Sequence, residues 1–226
     1  MRAAVVIFPG SNCDHDVLHV LRHLLHVPTT AVWHREPLPP GVDLVVLPGG
    51  FSFGDYLRCG AIAHVSPVMS DVKRHAERGG LVLGICNGFQ ILTESKMLPG
   101  ALTRNAHRRF ECRDVFLKKV GDGAFSKGVP DVIRVPIAHA EGRYQLDQVS
   151  RKRLENEGRI AFRYSDANGV VDAAANPNGA VDNIAGVYGG ARRNILGMMP
   201  HPERLSERAL GGDDGRSIFE AVLASA

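Results

Sequence analysis

The sequence predicts a three-layer α/β/α fold built on a doubly wound, mostly parallel sheet. The first reason is that its apolar, β-branched runs are continuous rather than alternating, as in strands buried on both faces. The second is that segments with helical spacing separate these runs. Gly- and Pro-rich turns close the runs, so reactive side chains are expected to gather beyond the strands' C-terminal ends.

Residues 3–8 (AAVVIF) read as the first strand, stopped by the turn PGSN. A helix is expected over 14–26. At about 100° per residue, Val17, Val20, Leu21, Leu24 and Leu25 fall on one side, and His15, His19, His23 and His26 fall nearly opposite. His15/His19 and His19/His23 have the i,i+4 spacing that can hold a metal. They point away from the core, however, and no carboxylate or Cys is arranged in sequence to complete a site. The reading is a solvated face and no metal. Residues 42–47 (VDLVVL) form the second strand, closed by PGG, and a helix follows over 61–78. Residues 81–85 (LVLGI) form a third strand that ends at Cys86, with a helix over 87–96. The second half is less regular. Strands are expected at 115–120, 132–137, 160–164, 184–188 and 195–198, some of them antiparallel, with helices at 151–157 and 215–224. With no repeat, low-complexity tract or long linker, residues 1–226 read as one domain.

Bulk properties narrow the function. A chain of 226 residues, 44% apolar and 23% charged, can bury a substantial core. A formal charge of +3, with basic residues clustered only as Arg108-Arg109 and Arg192-Arg193, leaves no nucleic-acid footprint. The opening MRAAVVIFPGS is too short an apolar run for a signal peptide, and no run reaches membrane-spanning length. Four cysteines (Cys13, Cys59, Cys86, Cys112) at irregular spacing, without a CxxC pair, make no disulfide framework. A reduced, cytoplasmic setting is expected, with the thiols available for chemistry.

The stretch LVLGICNGFQ (81–90) carries the most information. A strand runs into Gly84-Ile85-Cys86-Asn87-Gly88 and then into a helix, the G-x-nucleophile-x-G elbow in which glycines permit a tight turn that exposes one strained side chain. Here that side chain is a thiol, and the positive end of the following helix favours its thiolate. A buried structural Cys in a Gly-rich turn is the plain alternative. Near the other end, ILGMMPHPER (195–204) places His201 between two prolines and Glu203 two positions later. A thiol nucleophile needs a base, and the base needs an orienting group. His201 and Glu203 suit those roles, although a rigid turn bearing a surface His would look the same. An oxyanion hole needs preorganised N–H donors. The N–H of Asn87 is one candidate, and the loop LPGGFSFGDYLRCGA (47–61) is placed to supply another. Gly49 and Gly50 would equally serve a simple turn or a phosphate cradle, but no Walker-type motif accompanies them.

The PGG loop, the G-x-C-x-G-x-Q elbow and the late P-H-P-E together resemble the class I (triad) glutamine amidotransferases, whose fold is flavodoxin-like. PGSNCDHD (9–16), GGFSFGDYLRCGA (49–61), GICNGFQIL (84–92), RNAHRRFECR (104–113), HAEGRY (139–144), NPNGAVDNIAG (176–186) and GMMPHPER (197–204) are similar to the glutaminase subunits of phosphoribosylformylglycinamidine synthase. The resemblance runs along nearly the whole chain. It implies Cys86 as nucleophile, His201 as base and Glu203 as its orienting acid. It further implies Gly50 and Asn87 as oxyanion donors, with Gly49, Gln90, Arg108 and Phe110 at the glutamine pocket. His139 and Glu141 are expected near the site or a partner face. Cys13, Cys59 and Cys112, lacking an elbow or a base, are expected to be structural. Two positions depart from the pattern, His107 in place of Ser and Ala140 in place of Gly. The resemblance also implies a large synthetase partner that uses ATP and Mg, a small bridging subunit, and no cofactor on this chain.

Three other readings stay distinguishable. A glutaminase serving another synthetase would share the triad but not the GSNCD and GDYLRCGA segments. A cysteine peptidase or deglycase would share the elbow without the late P-H-P-E. A non-catalytic binding module would lack a triad member.

Overall fold

The computed structural model describes residues 1–225. Its strands are β1 (Ala3–Ile7), β2 (Thr29–Trp33), β3 (Leu44–Leu47), β4 (Leu81–Ile85), β5 (Ala101–Thr103), β6 (Glu111–Lys119), β7 (Val132–His139), β8 (Arg143–Gln145), β9 (Ile160–Ser165), β10 (Ile184–Gly189) and β11 (Ile195–Met198). Its α-helices are α1 (Asp14–His19), α2 (Val68–Glu77), α3 (Asn87–Glu94), α4 (Gln148–Asn156) and α5 (Arg216–Leu223). Nine strands make one sheet in the order β2-β1-β3-β4-β11-β10-β9-β6-β7, with helices on both sides, and β5 pairs with β8 in a small separate ribbon.

The sheet has two halves. From β2 to β11 every pairing is parallel, and from β11 through β10, β9 and β6 to β7 every pairing is antiparallel. The continuous apolar runs lie where burial is complete: β3, β4, β10 and β11 are buried at every residue. Val45, Val46 and Leu83 keep no exposed surface, which is worth about 1.5–3 kcal/mol for each side chain. In β7, by contrast, buried residues alternate with partly exposed ones, as expected for an antiparallel edge strand.

The structure departs from the sequence reading at several places, and four of them have a local reason. β2 was not expected because it is an edge strand that buries only Val32, so its TTAVW carries no continuous apolar signal. The helix expected from residue 61 begins at Val68, since Ser66 precedes Pro67 and is held extended (φ −62°, ψ 145°). The helix expected over 14–26 is α-helical only to His19 and continues as a π-turn over Val20–Leu24, with the Leu25 N–H donating to Val20 O at 3.0 Å. α4 starts before the expected position because the Asp147 carboxylate accepts from the N–H groups of Val149 and Ser150.

What matters for function is the position of β11. It pairs in parallel with β4, Gly197 opposite Gly84 and Met198 opposite Ile85. The segment after β11 therefore leaves the sheet beside the segment after β4.

Candidate active site

The elbow is built by close backbone contact. A Cβ on Gly84 would lie 2.8 Å from the Gly88 backbone, and one on Gly88 would lie 1.9 Å from Leu47 O. Any side chain at residue 88 would push α3 off the end of β3. Between these glycines Cys86 takes φ 49°, ψ −104°, a left-handed conformation that a non-glycine residue holds only when its surroundings impose it. Its N–H donates to Met198 O at 2.8 Å, and its Sγ lies 3.9 Å from Ala138 O. Neighbouring chain on two sides thus fixes the strained thiol, which is 5% exposed.

His201 follows β11 and is anchored through its N–H to Pro136 O at 2.8 Å. Pro202 opens a short 3-10 turn, Pro202–Leu205, which swings Glu203 under the imidazole. Glu203 Oε1 is 2.6 Å from His201 Nδ1, and both residues are only 2% exposed. His201 Nε2 and Glu203 Oε2 are buried without a hydrogen-bond partner. Burial opposes a charged imidazole, but the Glu203 carboxylate and the Cys86 and Cys13 thiols outweigh it and hold the His201 pKa well above its usual range. The sequence reading grouped Cys86, His201 and Glu203 from distant segments; the last two are hydrogen-bonded, and the Cys86 backbone is bonded to Met198, three residues before His201.

Cys13 is the surprise. Expected to be structural, it is buried against the same imidazole, and its Sγ, a His201 ring nitrogen and a Glu203 oxygen lie within 4.8 Å of one another. Arg204 Nη2 donates to Cys13 Sγ at 3.1 Å, and Arg204 Nε donates to Asp16 at 3.2 Å. The trio has a composition suited to a metal. Yet two ligands at ~2.0–2.1 Å from a tetrahedral ion sit about 3.3 Å apart. The 2.6 Å His201–Glu203 contact is too tight for that and is a direct hydrogen bond. No local motif marks Cys13, since the only signal was its place in the loop after β1, at the same sheet edge.

The 47–61 loop lies beside the His201–Glu203 pair. A Cβ on Gly49 would be 2.7 Å from His201 Cε1 and 3.0 Å from Cys13 Sγ, so only glycine lets the ring sit there. Gly50, at φ +138°, bridges Ser11, and a Cβ on it would meet Ser11 Cα and Asn12 N at 2.8 Å. Among the described residues the N–H groups of Gly50 and Asn87 have no acceptor. Asn87 Oδ1 accepts from Ser52 N–H at 3.2 Å, which ties the loop to the start of α3. Gln90 is buried one turn after Cys86. It accepts from Asn87 Nδ2 at 2.9 Å and donates to Glu141 O at 2.7 Å. Asp55 and Glu141 flank the Cys59 thiol, and burial first, then these acids, push its pKa up.

Arg108 and Phe110 are exposed, and the Arg108 side chain makes no hydrogen bond or ion pair among the described residues. They ride on a turn held by Asn105, whose Nδ2 donates to His139 O at 2.9 Å and whose Oδ1 accepts from Gly142 N–H at 3.1 Å. The turn therefore abuts the 139–142 segment that receives Gln90. His107, where Ser was expected, donates from Nε2 to Pro177 O and accepts from Arg109 N–H, both at 3.1 Å. Ala140 accepts from Asn105 N–H at 2.9 Å. His139 is buried with Nδ1 unpaired, and burial, aided by nearby His201, lowers its pKa to about 4. Cys112 is exposed on β6, away from this cluster.

Residues 1–210 match the CobB/CobQ-like glutamine amidotransferase domain. The chain belongs to that amidotransferase family. Within it, similarity extends over full length to the phosphoribosylformylglycinamidine synthase subunit PurQ of Gloeobacter violaceus (54% identical, 100% of this chain and 98% of that one). The PurQ of Bradyrhizobium diazoefficiens is also 54% identical, over 98% and 97% of the two chains. Among solved structures, a chain of PurLQS from Thermotoga maritima superposes with a TM-score of 0.84 at 39% identity, covering 99% and 97%. A glutamine amidotransferase from Thermotoga maritima, at 18% identity and a TM-score of 0.56 over 100% and 91% of the two chains, shares the fold. The expected class I amidotransferase fold is the one observed. No helix among the described residues is long and apolar enough to cross a membrane.

Proposed function

We propose that this chain is the glutaminase subunit of phosphoribosylformylglycinamidine synthase, working as one unit over residues 1–226. The observation that carries the reading is the strained Cys86 elbow beside a buried His201–Glu203 pair joined at 2.6 Å. The Cys86 sulfur attacks the side-chain amide carbon of glutamine, and His201 Nε2 holds the thiol proton. Glu203 fixes the imidazole through Nδ1 and stabilises its charged form. The carbonyl oxygen becomes an oxyanion that takes the free N–H groups of Gly50 and Asn87, each such donor supplying about 2.7–4 kcal/mol to the transition state. His201 then passes its proton to the amide nitrogen, ammonia departs, and a glutamyl thioester remains on Cys86. Water, deprotonated by His201, opens the thioester to glutamate and restores the thiol. Gly49 gives the imidazole its place, while Gln90 and the Arg108–Phe110 turn border the glutamine pocket.

PurQ full-length similarity and the PurLQS assembly support delivery of the ammonia to a large synthetase with a small third component. On this reading the large partner spends ATP, with Mg, to convert formylglycinamide ribonucleotide to its amidine in the cytoplasm, and this chain carries no cofactor. The test is reconstitution with both partners and a comparison of glutamine with ammonia as nitrogen donor. Cys86→Ser must abolish glutamine-supported amidation and spare the ammonia-supported reaction. Glutamine-supported turnover by that variant would overturn the assignment.

A further inference from the structure

We propose that Cys13 is a positioning residue for the glutamine hydrolysis assigned above, a role that rests on that reading: its sulfur forms one wall of the slot in which the His201 imidazole stands. His201 makes one side-chain hydrogen bond, from Nδ1 to Glu203 at 2.6 Å, and its Nε2 has no partner. A single bond leaves a ring free to rock about the line that joins the two atoms, so packing must set its remaining angle. A Cβ on Gly49 would lie 2.7 Å from His201 Cε1 and 3.0 Å from Cys13 Sγ, so ring and sulfur border the same point. Cys13 Sγ is also within 4.8 Å of a His201 ring nitrogen and of a Glu203 oxygen.

The wall is itself held in place. The Cys13 N–H donates to Gly49 O at 3.3 Å, and its carbonyl accepts from Val17 N–H at 3.1 Å in the first turn of α1. The thiol donates to Asn12 Oδ1 at 3.2 Å, while Arg204 Nη2 donates to Sγ at 3.1 Å. Asp16, also on α1, accepts from Arg204 Nε at 3.2 Å and steadies the guanidinium. With its proton on Asn12 and a cation on its lone pair, the sulfur offers His201 bulk without competing for Nε2. Burial, the largest influence on this thiol, raises its pKa, so Cys13 stays neutral and leaves the imidazole to Cys86.

The test is steady-state glutamine hydrolysis by the reconstituted complex, with ammonia-supported amidation measured on the same variants. Cys13→Ala removes the wall. A catalytic group displaced by about 1 Å loses about a hundredfold, so kcat should fall roughly ten- to a hundredfold with KM for glutamine little changed. Cys13→Ser restores an atom that can accept from Arg204 and should bring kcat back to within about fivefold of the parent. Arg204→Gln tests the same wall even where Cys13→Ala does not fold. It should lower kcat by about threefold or more, and little further in the Cys13→Ala background, because the guanidinium acts through the sulfur. Cys112→Ala, at an exposed position away from the site, should match the parent. The proposal is overturned if Cys13→Ala keeps kcat within about twofold of the parent, or loses ammonia-supported amidation in the same proportion. It is overturned equally if Cys13→Ser is no better than Cys13→Ala, or if Arg204→Gln leaves kcat unchanged. Any of these results, with Cys86→Ser inactive on glutamine, removes the role of Cys13 alone; glutamine turnover by Cys86→Ser removes the glutaminase reading itself.

Discussion

Glu203→Gln keeps the shape of the side chain and one hydrogen bond to His201, and removes only the charge. In the resting variant the imidazole can stay neutral, so the loss falls where His201 must carry a proton, at the attack and departure steps. Both residues are 2% exposed, and solvent does little to screen the pair. Leaving one buried partner uncompensated costs about 3–5 kcal/mol. At 1.36 kcal/mol per decade this is roughly two to three and a half orders of magnitude in kcat, with KM for glutamine little altered. The assay is glutamate release by the reconstituted complex, with ammonia-supported amidation as the internal control for assembly. A second readout follows from linkage. The folded His201 pKa lies above its unfolded value, so the native state holds the extra proton and stability is full below pH ~6.5. It is lost as pH rises through the raised value, giving a negative slope of unfolding free energy with pH that Glu203→Gln should flatten. A loss in kcat under about fivefold, with an unchanged pH slope, would refute the role given to the pair.

Gly49→Ala puts a Cβ 2.7 Å from His201 Cε1. The ring must move, and because misplacement by about 1 Å costs about a hundredfold, kcat should fall between tenfold and a hundredfold with Tm nearly unchanged. Gly88→Ala puts a Cβ 1.9 Å from Leu47 O, a backbone atom that cannot yield. A loss of at least about 3 kcal/mol is expected, seen as a fall in Tm of about 6–12 °C. His139, with a folded pKa near 4, binds its proton more readily once unfolded. Stability should therefore fall as pH drops from ~6.5 toward 4, by roughly 3 kcal/mol at most, and urea unfolding of His139→Gln should show a flatter profile.

The residues that sequence could place are those whose local pattern has one physical cause. Gly84-x-Cys86-x-Gly88 is legible because the packing of α3 against β3 and β4 forbids Cβ atoms at two fixed positions. His201-Pro-Glu203 is legible because a Pro-initiated turn returns the acid to the ring two residues earlier. Cys13 was not legible, since its partner Arg204 lies 191 positions away and nothing nearby in sequence encodes the encounter. The edge strand β2 and the ribbon strands β5 and β8 were missed because each is short and buries a single residue, too little for a continuous apolar signal.

The location of β11 bears on how the molecule is made. This strand fills the gap between β4 and β10, so until it has been synthesised both neighbours present bare hydrogen-bonding edges. The imidazole and its carboxylate follow only after the gap is filled. A polypeptide still on the ribosome, short of residue 201, therefore presents Cys86 before the His201–Glu203 pair can form beside it.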